Sequence, residues 1–154
     1  MPAANRPSRA ALRARGFTLI EIMVVVVILA ILGSLVAPMM LSRIDEARTV
    51  KAKQDLRLYE SALDLYRMDN YKYPTTDQGL EALVKKPDDP NIKNWRPDGY
   101  VKQLVKDPWG YDYVYVSPGT NGAPYDLYTM GADHQPGGTG PDADIYSREM
   151  TTTK

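Results

Sequence analysis

Residues 16–37 read GFTLIEIMVVVVILAILGSLVA, an apolar run that opens on Gly16 and carries a single carboxylate, Glu21. From Phe17 to Ala37 there is no other charge. At about 1.5 Å per residue such a helix spans roughly the 30 Å hydrocarbon core of a bilayer. The run therefore reads as a membrane-spanning helix on which the rest of the chain is carried. An ionised carboxylate placed in lipid costs on the order of 3 kcal/mol, so Glu21 is a candidate functional group in need of a partner. The plainer reading is that Glu21, close to the start of the run, snorkels to the interface.

Composition narrows the function. The chain has 154 residues, and once the leader and anchor are set aside little more than a hundred remain, enough for one small domain with a modest core. Arg6, Arg9, Arg13 and Arg15 precede Gly16 with no acidic residue among them. Removing these four from the nineteen basic residues leaves fifteen against nineteen acidic ones, so the remainder is mildly acidic and carries no footprint for nucleic acid. There is no cysteine, which excludes disulfides and thiolate zinc sites. The basic leader keeps the amino terminus in the cytoplasm by the positive-inside rule and sends the C-terminal part across the membrane. A conventional signal-peptidase site would follow the apolar run, but Ala37 is followed by Pro38 and preceded two positions earlier by Leu35, which disfavours cleavage there.

The junction Arg15-Gly16-Phe17-Thr18-Leu19-Ile20-Glu21, with its basic leader, resembles the class III signal of type IV pilins and pseudopilins. The resemblance implies cleavage after Gly16 by a membrane aspartyl protease and N-methylation of the new terminus, Phe17. It also gives Glu21 a partner: the terminal amine of a neighbouring subunit, so that two charges in lipid neutralise each other during assembly.

Beyond Pro38, which should kink or locally open the helix, helical periodicity resumes. Ile44, Ala47 and Val50 follow at three-residue steps, and Leu56, Tyr59, Leu63 and Tyr66 recur at three and four. This predicts one apolar face packed on a domain, with the two tyrosines in its core. The pattern stops at Asp69-Asn70, giving an element of about 53 residues or ~80 Å, of which the second half supports the domain. In YPTTDQGLEAL, residues 73–83, Thr75 and Gln78 have capping-box spacing ahead of a short helix. Residues 87–99 read as an irregular loop, and Asp107-Pro108-Trp109-Gly110 as a turn. Tyr111 to Val116 and Tyr125 to Met130 predict an antiparallel hairpin.

Residues 131–144 place Asp133, Asp142 and Asp144 among glycines and prolines, beside His134. Carboxylates and carbonyl oxygens on a flexible loop suit Ca2+ better than Zn2+, although the same composition describes a solvated loop, and EF-hand spacing is missing. Catalytic signatures are absent: there is no nucleophile elbow, phosphate loop or zinc-protease helix motif.

YPTTDQGLEAL, DPWG and GADHQPGGTGPDADI, taken with the leader, resemble the major pseudopilins of the type II secretion system from Arg15 to about Ile145. The long arginine-rich leader and the tail YSREMTTTK depart from that pattern. The resemblance implies an α+β, pilin-like fold divided into a cleaved leader (1–16), a transmembrane and filament-core helix (17–41) and a periplasmic globular domain (42–154). It implies a calcium ion in the C-terminal loop, held by Asp133, Asp142 and Asp144 with the Met130 and Thr139 carbonyls. The implied role is structural and not enzymatic: a homopolymeric pseudopilus that drives folded proteins across the outer membrane, powered by a cytoplasmic ATPase. Minor pseudopilins, a prepilin peptidase/methyltransferase, an inner-membrane assembly platform and, before assembly, membrane lipid are the implied partners. The alternatives are a type IV pilin or minor pseudopilin, against which the missing cysteines and the YPTTDQGL and DPWG stretches count. A third reading is a membrane-anchored periplasmic binding module that never polymerises, against which Glu21 counts.

The processing expectation is read by the N-terminal mass of membrane-extracted protein. The mature chain should begin at methylated Phe17, and Gly16→Val should accumulate precursor. An intact Met1 start in cells with active prepilin peptidase would overturn it.

Overall fold

A computed structural model describes residues 16–151. The element order is α1 (Leu19–Asn70), β1 (Val114–Val116), β2 (Asp126–Thr129) and β3 (Ile145–Tyr146), with single 3-10 turns at Leu80–Leu83, Thr120–Gly122, Gly140–Asp142 and Ser147–Thr151. The described chain divides into two units, with the boundary between Met40 and Leu41. The expectations for the leader, residues 1–15, lie outside the described residues.

Thr18 starts α1. Its Oγ1 accepts the Glu21 N–H at 3.3 Å, so one of the donors that a helix leaves open at its N-terminus is satisfied. The helix is assigned without interruption through Pro38 and ends at Asn70, the predicted stop. Tyr71 follows in the left-handed region, φ 62°, and its N–H returns to the Arg67 carbonyl at 2.7 Å, closing the last turn.

In the second unit α1 buries one face only. Ala52, Leu56, Tyr59, Leu63 and Tyr66 are fully enclosed, together with Leu83, Ile92 and Leu127. The predicted core tyrosines are therefore core. Ile44 and Val50 are not: each is about half exposed. Steps of three advance 300° around a helix, so a run of threes drifts by 60° per step, and Ile44, Ala47 and Val50 walk off the buried face.

The expected capping box is present. The Thr75 N–H donates to Gln78 Oε1 at 3.0 Å and the Gln78 N–H donates to Thr75 Oγ1 at 3.3 Å. The turn it closes leads into the 3-10 segment that buries Leu80, Ala82 and Leu83. The expected hairpin is also present, shorter than read: β1 and β2 are antiparallel, with Tyr115 opposite Leu127. A third strand, absent from the sequence reading, adds β3 to the other edge of β2, with Ile145 opposite Thr129.

The DPWG turn is built on Asp107. One carboxylate oxygen accepts the N–H groups of Trp109 and Tyr111 at 3.0 and 2.8 Å, and the other takes the Thr129 hydroxyl of β2. A second buried carboxylate, Asp126, accepts the N–H and Oγ1 of Thr120 at 2.8 and 2.7 Å and pairs with Arg148. Burial pushes this carboxyl up, but the Thr120 donors and the Arg148 charge outweigh burial and leave it below its ordinary value near 3.8.

A carboxyl whose folded pKa is lowered stabilises the fold above its unfolded value and loses that contribution as pH falls through the folded one. Detergent-solubilised protein should therefore lose stability below about pH 4 partly through Asp126. Asp126→Asn should be less stable at neutral pH and show a shallower acid limb in melts followed by circular dichroism. Parallel acid limbs for the two proteins would exclude Asp126 as a titrating support.

Candidate functional site

The first candidate region is the start of α1. Among the described residues one helix is long and apolar enough to cross a membrane: its window Leu19–Val36 has a mean hydropathy of 3.0 and none of it is buried within the chain. Ser34, a polar hydroxyl inside this window, donates back to the Ile31 carbonyl at 2.8 Å and is satisfied without an outside partner. Glu21 lies in the first turn, three residues after the capping Thr18. A carboxylate here is favoured by the positive end of the helix dipole. No ion pair among the described residues includes it. The T-x-x-E spacing of Thr18 and Glu21 was a readable capping signal that the sequence reading passed over. Gly16 and Phe17, the proposed processing pair, precede the helix, and Phe17 is exposed.

The second region is the loop between β2 and β3. It is wound tightly around the backbone of Asp142. The Ala132 N–H donates to the Pro141 carbonyl at 3.0 Å, and the Asp144 N–H donates to the Gly137 carbonyl at 3.0 Å. Gly131 and Gly138 make this approach feasible: both have positive φ, and a Cβ on Gly138 would fall 2.3 Å from the Asp142 carbonyl oxygen. His134 also has positive φ and stacks on Tyr111 with ring centres 4.2 Å apart.

The three aspartates are placed differently. Asp133 is exposed, and its Oδ1 accepts the Gln135 N–H at 3.0 Å. Asp142 is exposed on the 3-10 turn. Asp144 is half-buried: Oδ2 accepts the Gly137 N–H at 3.0 Å, while Oδ1 is buried with no hydrogen-bond partner. Among the described residues no three histidine, cysteine, aspartate or glutamate side chains form a metal-binding group. What favours a hard cation here is the single orphaned oxygen of Asp144. A buried carboxylate oxygen without a donor is a costly state that a cation or a water relieves.

Comparison with known proteins covers both regions of the sequence. The family described as type II secretion system (T2SS), protein G, matches residues 39–148, and the prokaryotic N-terminal methylation motif matches residues 12–37. The type II secretion system core protein G of Pseudomonas aeruginosa is 59% identical over 131 residues, covering 84% of this chain and 92% of the relative. That of Vibrio cholerae is 57% identical over 130 residues, covering 84% and 88%. Among solved structures, the major pseudopilin from the type 2 secretion system of enterohaemorrhagic Escherichia coli aligns with a TM-score of 0.57 at 45% identity, over 66% of this chain and 87% of that one. An α+β fold with a long N-terminal helix and a small antiparallel sheet, a leader junction of the methylated type and these relatives together place the chain in the type II secretion system protein G family, the major pseudopilins.

Proposed function

We propose that this chain is a membrane-anchored structural subunit that polymerises into a periplasmic pseudopilus and so helps to drive folded proteins across the outer membrane. The observation that carries the reading is the helical segment Leu19–Val36, apolar apart from Glu21 and Ser34 and covered nowhere by its own chain. Such a surface is stable in lipid or among copies of itself, and Glu21 distinguishes the two. In lipid its charge lacks a partner; beside the N-terminal amine of a neighbour it has one. The arginine-rich leader supports an orientation with the amino terminus cytoplasmic and the residues beyond the anchor periplasmic. On this reading the leader is removed at Gly16 by a prepilin peptidase that also methylates Phe17. The subunit then assembles with minor pseudopilins on an inner-membrane platform. The work is mechanical, without a catalytic residue.

The reading includes one Ca2+ in the C-terminal loop. The orphaned Asp144 Oδ1 supports it, with Asp133, Asp142 and the Met130 and Thr139 carbonyls as the other candidate ligands. The ion would supply a hard positive charge that fixes loop oxygens and staples a small cysteine-free domain.

Two experiments test these claims. In cells, Glu21→Ala should insert into the membrane but give sparse filaments and weak cross-linked ladders; wild-type ladders from the variant would show that charge pairing is dispensable. In melting curves, Ca2+ at 100 times its dissociation constant should add about 2.7 kcal/mol, and Mg2+ much less. Asp144→Ala should remove the calcium shift, and coincident wild-type curves in chelator, Ca2+ and Mg2+ would leave the loop without an ion.

A further inference from the structure

Nearly opposite the face of α1 that enters the core runs a second stripe, and it faces solvent. Val50, Gln54, Leu58, Ser61, Leu65 and Met68 follow one another at steps of four, four, three, four and three. At about 100° per residue all six fall within an arc of about 80°, centred about 160° from the buried positions Leu56, Tyr59, Leu63 and Tyr66. Each of the six is exposed, Leu58 at 54% and Met68 at 72%. No charged residue falls inside the arc over this length: the Lys51–Asp55 pair stands on one side of it and Arg57 on the other. Ser61 donates back to the Arg57 carbonyl at 2.9 Å, which leaves Gln54 as the polar interruption of the stripe. An uncharged stripe with steps of three and four, unused by its own domain, has the pattern against which another helix packs.

We propose that this stripe is the seat of the segment Leu19–Val36 of a second copy of the chain. Two properties select that occupant. The segment is helical, apolar apart from Glu21 and Ser34 and uncovered by its own chain, so outside lipid it needs a surface without charge. The exposed side of α1 beyond Arg57 carries Lys53, Asp64 and Arg67 and would strand those charges against it. The second property is the symmetry of the contact. Stripe on stripe would join the same patch of both copies and close as a dimer, whereas stripe on anchor joins two different patches and leaves a free seat and a free anchor for the next copy. A filament needs the second kind, and the inference rests on the filament reading above. Leu65 follows Val36 by about eight turns along α1, so two copies at the same depth in a bilayer do not make this contact. It forms when one copy is displaced along the helix relative to the other, and so marks assembly and not crowding in the membrane.

The test uses the full chain in cells that assemble the filament, where the absence of native cysteine makes every disulfide an engineered one. Leu65→Cys is combined with a single cysteine at each position in turn from Ile22 to Leu35, and the oxidised protein is read on non-reducing gels. Disulfides form only where Cα atoms come within about 7 Å, so pairs on one face of the anchor should give ladders, while Leu65→Cys alone and each anchor cysteine alone should not. A disulfide dimer from Leu65→Cys alone, or no ladder from any pair, would overturn the proposal. In the best pair, Gln54→Leu should raise the ladder yield, and Gln54→Glu, Leu58→Lys and Met68→Lys should each lower it about tenfold, because a charge would be buried against the anchor. Equal yields from Gln54→Leu and Gln54→Glu would count against the stripe as decisively. These positions are exposed, so the variants should keep the wild-type melting curve. A wild-type protein that gives no ladder with an amine-reactive cross-linker overturns the filament reading itself. That failure is recognised without any variant in the stripe, and so stays distinct from failure of the seat alone.

Discussion

The structure depends on one mismatch: α1 is a single helix whose two halves need different surroundings. Over Leu19–Val36 the helix is apolar apart from Glu21 and Ser34 and none of it is buried, whereas from Ala52 to Tyr66 one face is sealed against the domain and charged residues lie outside it. Domain packing can satisfy the second half and does nothing for the first. Lipid tails are about as apolar as leucine, so moving the first half from bilayer to a bundle of like helices changes little in hydrophobic terms. A step with so small a net driving force is steered by whatever differs between the two environments. In the proposed filament that difference is concentrated at Glu21, the one acidic or basic side chain in the window. The positive end of the helix dipole favours a carboxylate at this position.

The domain on the second half is small, and much of it between the 3-10 turn at Leu80–Leu83 and β1 is irregular. Without disulfides, tyrosines fix these loops. The Tyr59 hydroxyl accepts the Val105 N–H at 2.8 Å and donates to the Val105 carbonyl at 3.2 Å. Tyr115 donates to the Pro74 carbonyl at 2.8 Å, and Tyr113 to Asp55 at 2.9 Å. Each ring fills the core while its hydroxyl satisfies a distant backbone or acidic group, so a single residue type provides apolar burial and long-range connection together. Trp95 works the same way, its indole N–H donating to the Ala82 carbonyl at 2.8 Å.

Much of this was legible because the informative elements are long or chemically marked. The alternating three and four spacing of Leu56, Tyr59, Leu63 and Tyr66 predicted the buried face, and Asp69-Asn70 the end of the helix. Thr75 and Gln78 predicted their reciprocal bonds. What escaped lacks a local signal. β3 is two residues long, too short for any alternation, and exists because Ile145 finds Thr129 across β2. The exposure of Ile44 and Val50 follows from accumulated rotation, which a list of apolar positions hides unless the angle is tracked. Three aspartates in a glycine-rich loop could not reveal that Asp133 caps the Gln135 N–H while Asp144 keeps a buried oxygen without a donor.

That difference decides how the loop is held. Its backbone is already closed by the Ala132, Asp142, Ala143 and Asp144 N–H groups, and the close approach of Gly138 to Asp142 leaves no room for a side chain there. What remains unsatisfied is one carboxylate oxygen, and a buried polar atom without a partner costs about 1–3 kcal/mol, more when charged. In a domain whose whole stability is about 5–15 kcal/mol, such a defect persists where something outside the loop relieves it. A counter-charge at Asp144 would thus act by removing this penalty. The same residue at the edge of β3 would pass that gain to the sheet through Ile145, its neighbour in the chain.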